Sequence, residues 1–99
     1  MNQAVKWKDL DMSRASIMGL FDGKYIRATS RIGETFMLAY GHDRHRSKII
    51  FINQFGQQYI KICETDFHAQ QIATNIAFLL QDYPSAKILQ NYEFELMEG

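Results

Sequence analysis

Two stretches of this chain carry apolar side chains on both faces of a pleat. Lys48–Asn53 sets Ile49 and Phe51 on one side and Ile50 and Ile52 on the other, and Glu34–Tyr40 repeats the arrangement with Phe36, Leu38 and Tyr40 against Met37 and Ala39. Side chains alternate across a strand, so both stretches read as strands covered on two sides. The pattern holds little helix, so cover for the second face is scarce.

The remaining elements follow from periodicity and punctuation. Residues 1–10 read as a loose lead-in with Trp7 as an anchor. Asp11 is an N-cap for a short helix, Met12 to about Phe21, with Ile17, Leu20 and Phe21 on one face. Asp22-Gly23 then marks a turn. A first strand, Lys24–Arg31, points Ile26 and Ala28 one way and Tyr25, Arg27, Thr29 and Arg31 the other. Ile32-Gly33-Glu34 turns into a second strand, Thr35–Tyr40, followed by a polar loop, Gly41–Ser47, and a third strand, Lys48–Asn53. Gln54-Phe55-Gly56-Gln57 makes a hairpin turn into a fourth strand, Gln58–Cys63, with Ile60 and Ile62 toward the core. Thr65 or Asp66 caps a long helix, Phe67–Tyr83, whose Ala69, Ile72, Ala73, Ile76, Leu79, Leu80 and Tyr83 form one stripe. Pro84 closes that helix. A last strand, Lys87–Met97, alternates Tyr92, Phe94 and Leu96 with Glu93, Glu95 and Met97.

The order α-β-β-β-β-α-β describes one α+β domain over residues 1–99, with a mainly antiparallel sheet of about five strands and the long helix packed on one face. The other face falls to the N-terminal helix or to a second copy of the chain. Burying one more Ile or Phe is worth roughly 1.5–3 kcal/mol. Four or five such residues left in water would cost much of a total stability of about 5–15 kcal/mol. A homodimer is therefore expected.

Composition narrows the classes further. The 99 residues are 46% hydrophobic with one Pro and six Gly, an ordinary globular balance. Eleven Lys plus Arg offset eleven Asp plus Glu, which gives no global pull toward nucleic acid or membrane. No apolar run approaches the roughly 18 residues of a spanning helix, and the first eight residues lack a signal-peptide core. Cys63 is the single cysteine, so a reducing cytoplasm is the expected setting.

Charge is nevertheless uneven. Between Lys24 and Lys48 stand Lys24, Arg27, Arg31, Arg44, Arg46 and Lys48 against Glu34 and Asp43, while residues 82–99 hold Lys87 against Asp82, Glu93, Glu95 and Glu98. One reading is a nucleic-acid-binding module that uses Arg27, Arg44, His45, Arg46 and Lys48, with Tyr25 and Tyr40 for stacking. The other pairs Arg27 and Arg31 with Glu93 and Glu95 on a solvated face, and it is favoured because nucleic-acid binders usually carry a net basic domain. His42 and His45 beside Asp43 fall short of a zinc ligand set. His68 opens the long helix as a neutral surface residue. Cys63 is followed by Glu64, which raises a thiol pKa rather than lowering it. Gly33, Gly41 and Gly56 are isolated turn glycines, not a phosphate loop. Glu93 and Glu95 share a strand face without a second catalytic group, and Met12, Met18 and Met37 are core filler. No cofactor or metal is implied.

Trp7, Phe55 and Tyr59 read as aromatics lying off the core, and aromatics are the usual interface anchors. The stretch Lys48–Tyr83, strand-turn-strand-helix, resembles a unit of small phage-encoded inhibitors of CRISPR nucleases and part of some haem-utilisation proteins. No functional residue carries over from that resemblance. The expected function is that of a small, cytoplasmic, non-enzymatic regulator or inhibitor that binds a protein through Trp7, Phe55, Tyr59, Met37 and Phe51. The nucleic-acid module is the alternative, followed by a small-ligand carrier or enzyme with a pocket between helix and sheet.

Overall fold

A computed structural model describes residues 5–10 and 21–97. The described strands form one antiparallel sheet whose spatial order follows chain order. They are β1 (Lys8–Asp9), β2 (Asp22–Thr29), β3 (Thr35–His42), β4 (Ser47–Ile52), β5 (Gln58–Cys63) and β6 (Glu95–Leu96). Two helices, α1 (Asp66–Leu79) and α2 (Ser85–Asn91), lie between β5 and β6. The architecture is α+β, as the pattern predicts, with six strands among the described residues and an α1 of only 14 residues. The short helix expected over Met12–Phe21, with Met12 and Met18, lies outside the described residues except for Phe21, which is buried.

Register assigns the faces. The row Ile26, Leu38, Phe51, Tyr59, Leu96 lies on one side of the sheet, and the row Lys8, Tyr25, Ala39, Ile50, Ile60, Glu95 on the other. The first side carries the helices. Phe36, Leu38, Tyr40, Ile49, Phe51 and Cys63 pack there against Ala69, Ala73, Ile76, Ala77, Leu80, Ile88 and Leu89. Ala69, Ala73 and Ala77 recur at a spacing of four and fall on one face. Their lack of bulk lets α1 settle close on Phe36 and Phe51, whose rings stack at 5.7 Å.

Helix termini follow local chemistry. Thr65 caps α1, its hydroxyl accepting from the His68 N–H at 3.0 Å. The helix stops at Leu79, five residues before Pro84, where the Asp82 and Tyr83 N–H groups fold back onto the Leu79 carbonyl. Pro84 thus opens α2 and does not close α1. The Glu34 carboxylate accepts from the Ser85 N–H at 2.9 Å and from its hydroxyl at 3.0 Å, an anion at a helix start. At the other end of α2, the Glu93 and Phe94 N–H groups reach the Gln90 and Leu89 carbonyls in a Schellman closure. Glu93 takes φ 61 to make it, at a position that favours Gly.

Four expectations are corrected. The strand expected over Lys87–Met97 is a helix followed by two strand residues, because Ile88 and Leu89 are both buried in the helical turn. Glu93 and Glu95 consequently do not share a strand face. Ile60 and Ile62 face away from the helices, because the register pairs them with Ile50 and Lys48. Asp22-Gly23 is strand, not turn. Gly23 meets Gly41 there so closely that a Cβ on Gly23 would stand 2.0 Å from the Tyr40 carbonyl oxygen.

Cover for the second face is also more complete than the pattern suggests. Ala39 and Ile50 are buried within the single chain, Met37, Ile52 and Ile60 are half-buried, and Ile62 is exposed. Two expected outcomes test this reading of the backbone in urea unfolding. Glu93→Gly raises the unfolding free energy by about 1 kcal/mol by relieving the left-handed conformation. Gly23→Ala lowers it by roughly 2 kcal/mol or more, because backbone must move to admit the methyl group.

Candidate functional site

At the end of the sheet where β3 turns into β4, one carboxylate gathers two side chains. Asp66, the first residue of α1, accepts from Ser47 Oγ at 2.6 Å through Oδ1 and meets His42 Nδ1 at 2.6 Å through Oδ2. His42 and Ser47 are cross-strand partners, so the hairpin itself aims them at the helix start. The carboxylate places the imidazole proton on Nδ1. Serine hydrolases set the imidazole between hydroxyl and carboxylate. Here the carboxylate stands in the middle, so the serine hydroxyl donates to the carboxylate and not to the imidazole. The cluster is a clasp between hairpin and helix.

The adjoining turn is organised by Asp43. Its Oδ1 accepts from the His45 and Arg46 N–H groups at 2.8 and 3.0 Å, and its Oδ2 pairs with Lys48 Nζ. The Lys48 hydrogen bond and those two amides hold the carboxyl well below the usual carboxylate range. An open hollow of about 510 Å³ is lined by this turn together with His42, Ser47, Ile62, Cys63 and Glu64. A second hollow of similar size lies beside it, lined by Lys61, Cys63, His68, Ile72, Tyr92 and Glu93. Lys61 Nζ donates to the Tyr92 carbonyl at 2.7 Å and so closes the α2 terminus. Cys63 is buried, and burial pushes its thiol pKa up, opposite to what a nucleophile needs. Among the described residues, no three His, Cys, Asp or Glu side chains gather closely enough to hold a metal ion.

The expected basic surface divides. Arg44, His45 and Arg46 are exposed at the β3–β4 turn, whereas Arg27 stands opposite Met37 near the far end of β3. The eight residues of β3 span roughly 25 Å, so these groups do not form one patch. Lys48 is spent on Asp43, Lys24 on Asp9, and Arg31 on Asp82. The expected partnership of Arg27 and Arg31 with Glu93 and Glu95 does not form, because β2 and β6 lie four strands apart.

The expected aromatic surface divides as well. Trp7 folds back edge-on to Tyr40 at 4.8 Å, and Tyr59 packs beside Phe51 at 6.2 Å. Phe51 is 1% exposed under α1 and reaches no surface, and Met37 is half-buried on the opposite face. Phe55 alone of the set projects, with 79% of its surface exposed. Leu96 and Met97, which the pattern assigned to a long alternating strand, are about half exposed at its foot, where the Met97 N–H donates to the Gln58 carbonyl at 2.8 Å. Their hydrophobicity was the available signal; their position needed the register. No protein-family model, curated protein or solved structure matches the chain.

Two measurements check the polar clusters. Asp66→Ala releases His42 and Ser47 together and lowers stability by about 1–3 kcal/mol in urea unfolding. For Asp43 the folded pKa lies below the unfolded one, so its contribution is complete above about pH 4 and is lost as pH falls further. The acid limb of a stability-against-pH profile is therefore shallower in Asp43→Asn than in the parent chain.

Proposed function

We propose that this chain works by binding another protein, as a non-enzymatic regulator or inhibitor, through the apolar corner made by the β4–β5 hairpin tip and the end of β6. Phe55 carries the reading. Asn53 organises the tip: its Oδ1 accepts from the Phe55 and Gln57 N–H groups, both at 3.0 Å, and its own N–H donates to the Gln57 carbonyl at 3.0 Å. Gly56 supplies the positive φ of 83° that the turn requires. The result is an aromatic side chain held out in water on a fixed backbone. Burying it against a partner is worth roughly 1.5–3 kcal/mol, with little ordering left to oppose the gain. Leu96 and Met97 extend the surface, and Met adapts to irregular partners.

Several side chains able to do chemistry are committed to architecture: Ser47 and His42 to Asp66, Lys48 to Asp43, Lys61 to Tyr92, and Cys63 to the core. This supports a binding role over a catalytic one. A homodimer packed face to face loses most of its driving force, because Ala39 and Ile50 are already buried in one chain. Separation of Arg27 from Arg44 and Arg46 likewise weakens the nucleic-acid reading.

The test compares Phe55→Asp with Ile32→Asp, a control at another exposed apolar position. Both variants keep their unfolding free energy within about 0.5 kcal/mol of the parent. A discrete partner captured from extracts of the source cells by the parent and by Ile32→Asp is lost with Phe55→Asp. Equal capture by Phe55→Asp overturns the reading.

A further inference from the structure

We propose that copies of this chain join head to tail, with the β6 edge of one pairing with the β1 edge of the next. Every neighbouring pair of strands is antiparallel and the sheet follows chain order, so the two edge strands run in opposite directions. Placing a second copy in the same orientation beside the first therefore continues the antiparallel alternation and keeps the helices on one side. Among the described residues, β1 and β6 each have a strand partner on one side only, and such an edge is a template for pairing.

The ends of the register rows match. The row that crosses all six strands begins with Lys8 on β1 and ends with Glu95 on β6, both exposed. In the joined sheet Glu95 comes beside Lys8 of the next copy on the same face, an opposite-charge cross-strand pair. On the helix side the row Ile26, Leu38, Phe51, Tyr59 ends in Leu96, 49% exposed. It meets the edge where Trp7 is half-buried against the core. Charge and apolar surface are thus complementary between the two edges, whereas β6 against β6 brings carboxylate to carboxylate. The second copy is the partner these edges fit.

Two further properties follow. Sheet twist of roughly 20–25° per strand rotates each six-strand copy by about 120–150° relative to the last. An interface of two different edges does not close on itself at two copies and extends as an open chain. Edges this short bury little area, which makes the association weak.

Sedimentation velocity at low ionic strength tests the proposal. The average mass of the parent chain rises steadily from micromolar to near-millimolar concentration, passes two copies, and falls when salt is added. Lys8→Glu and Glu95→Lys each weaken association several-fold while circular dichroism stays unchanged. An equimolar mixture of the two recovers open growth in alternating order, because Glu95 of the first variant meets Lys8 of the second and the two reversed charges meet at the following junction. The double variant regains open growth, and Phe55→Asp leaves it untouched, which separates this surface from the proposed protein-binding corner. A parent chain that stays monomeric throughout, a pair that never grows, association indifferent to either reversal, or a mixture that fails to pair overturns the proposal.

Discussion

The seat of α1 on the sheet is the contact on which the rest of the structure depends. Ala69, Ala73 and Ala77 bring the helix axis close, and Ile76 and Leu80 fill what remains above Phe36, Leu38 and Phe51. Close approach of this kind tolerates no added volume, since interiors are packed like organic crystals. Polar ties then fix both ends. Asp66 holds the start of the helix to the β3–β4 hairpin, while Arg31 binds Asp82 and the Gln81 carbonyl just beyond its end. Glu34, one turn further along the same hairpin loop, anchors α2 through Ser85. Opposite hairpins thus clamp one helical layer, and side chains that resemble catalytic equipment in the sequence are consumed in the clamping.

The fold was legible wherever local chemistry decides structure. Gly56 in a turn and the doubly apolar alternation of β3 and β4 each specify one answer, and the cap of α1 was narrowed to Thr65 or Asp66, of which Thr65 makes it. It was illegible where tertiary context reverses a local signal. In β5 the greasier residues, Ile60 and Ile62, face away from the helices. Their neighbours Tyr59, Lys61 and Cys63 face inward because Cys63 fits under α1 and the lysine stem reaches the α2 terminus. Tyr92, Phe94 and Leu96 alternate like a strand although only the last lies in one. The preceding Ile88 and Leu89 need a helical turn for both to be buried.

The candidate surfaces show the same division. Phe55 was visible as an apolar residue in a turn, a local contradiction that packing does not resolve. Phe51 was not distinguishable from it by residue type, and only register sends one to the core and the other to solvent. The Asp66 clasp had no sequence signal, since it joins positions 24 and 19 residues apart. The basic stretch from Lys24 to Lys48 is contiguous in sequence, but the β2–β3 hairpin carries Arg27 and Arg31 toward the end of the sheet opposite Arg44 and Arg46, while Lys24 stays across from Tyr40.

A sheet laid down in chain order has a kinetic consequence. From β2 to β5, each strand's partner has already been synthesised when that strand appears, so pairing needs only short loops to close. Contacts of this local kind favour rapid assembly and suit growth of the chain from its N-terminus on the ribosome. The exception is β6, which must wait for both helices before it can reach β5. The edge is therefore completed only after both helices have been made, and a nascent chain halted before β6 leaves β5 bare, with Tyr59 and Ile60 open to whatever strand arrives first.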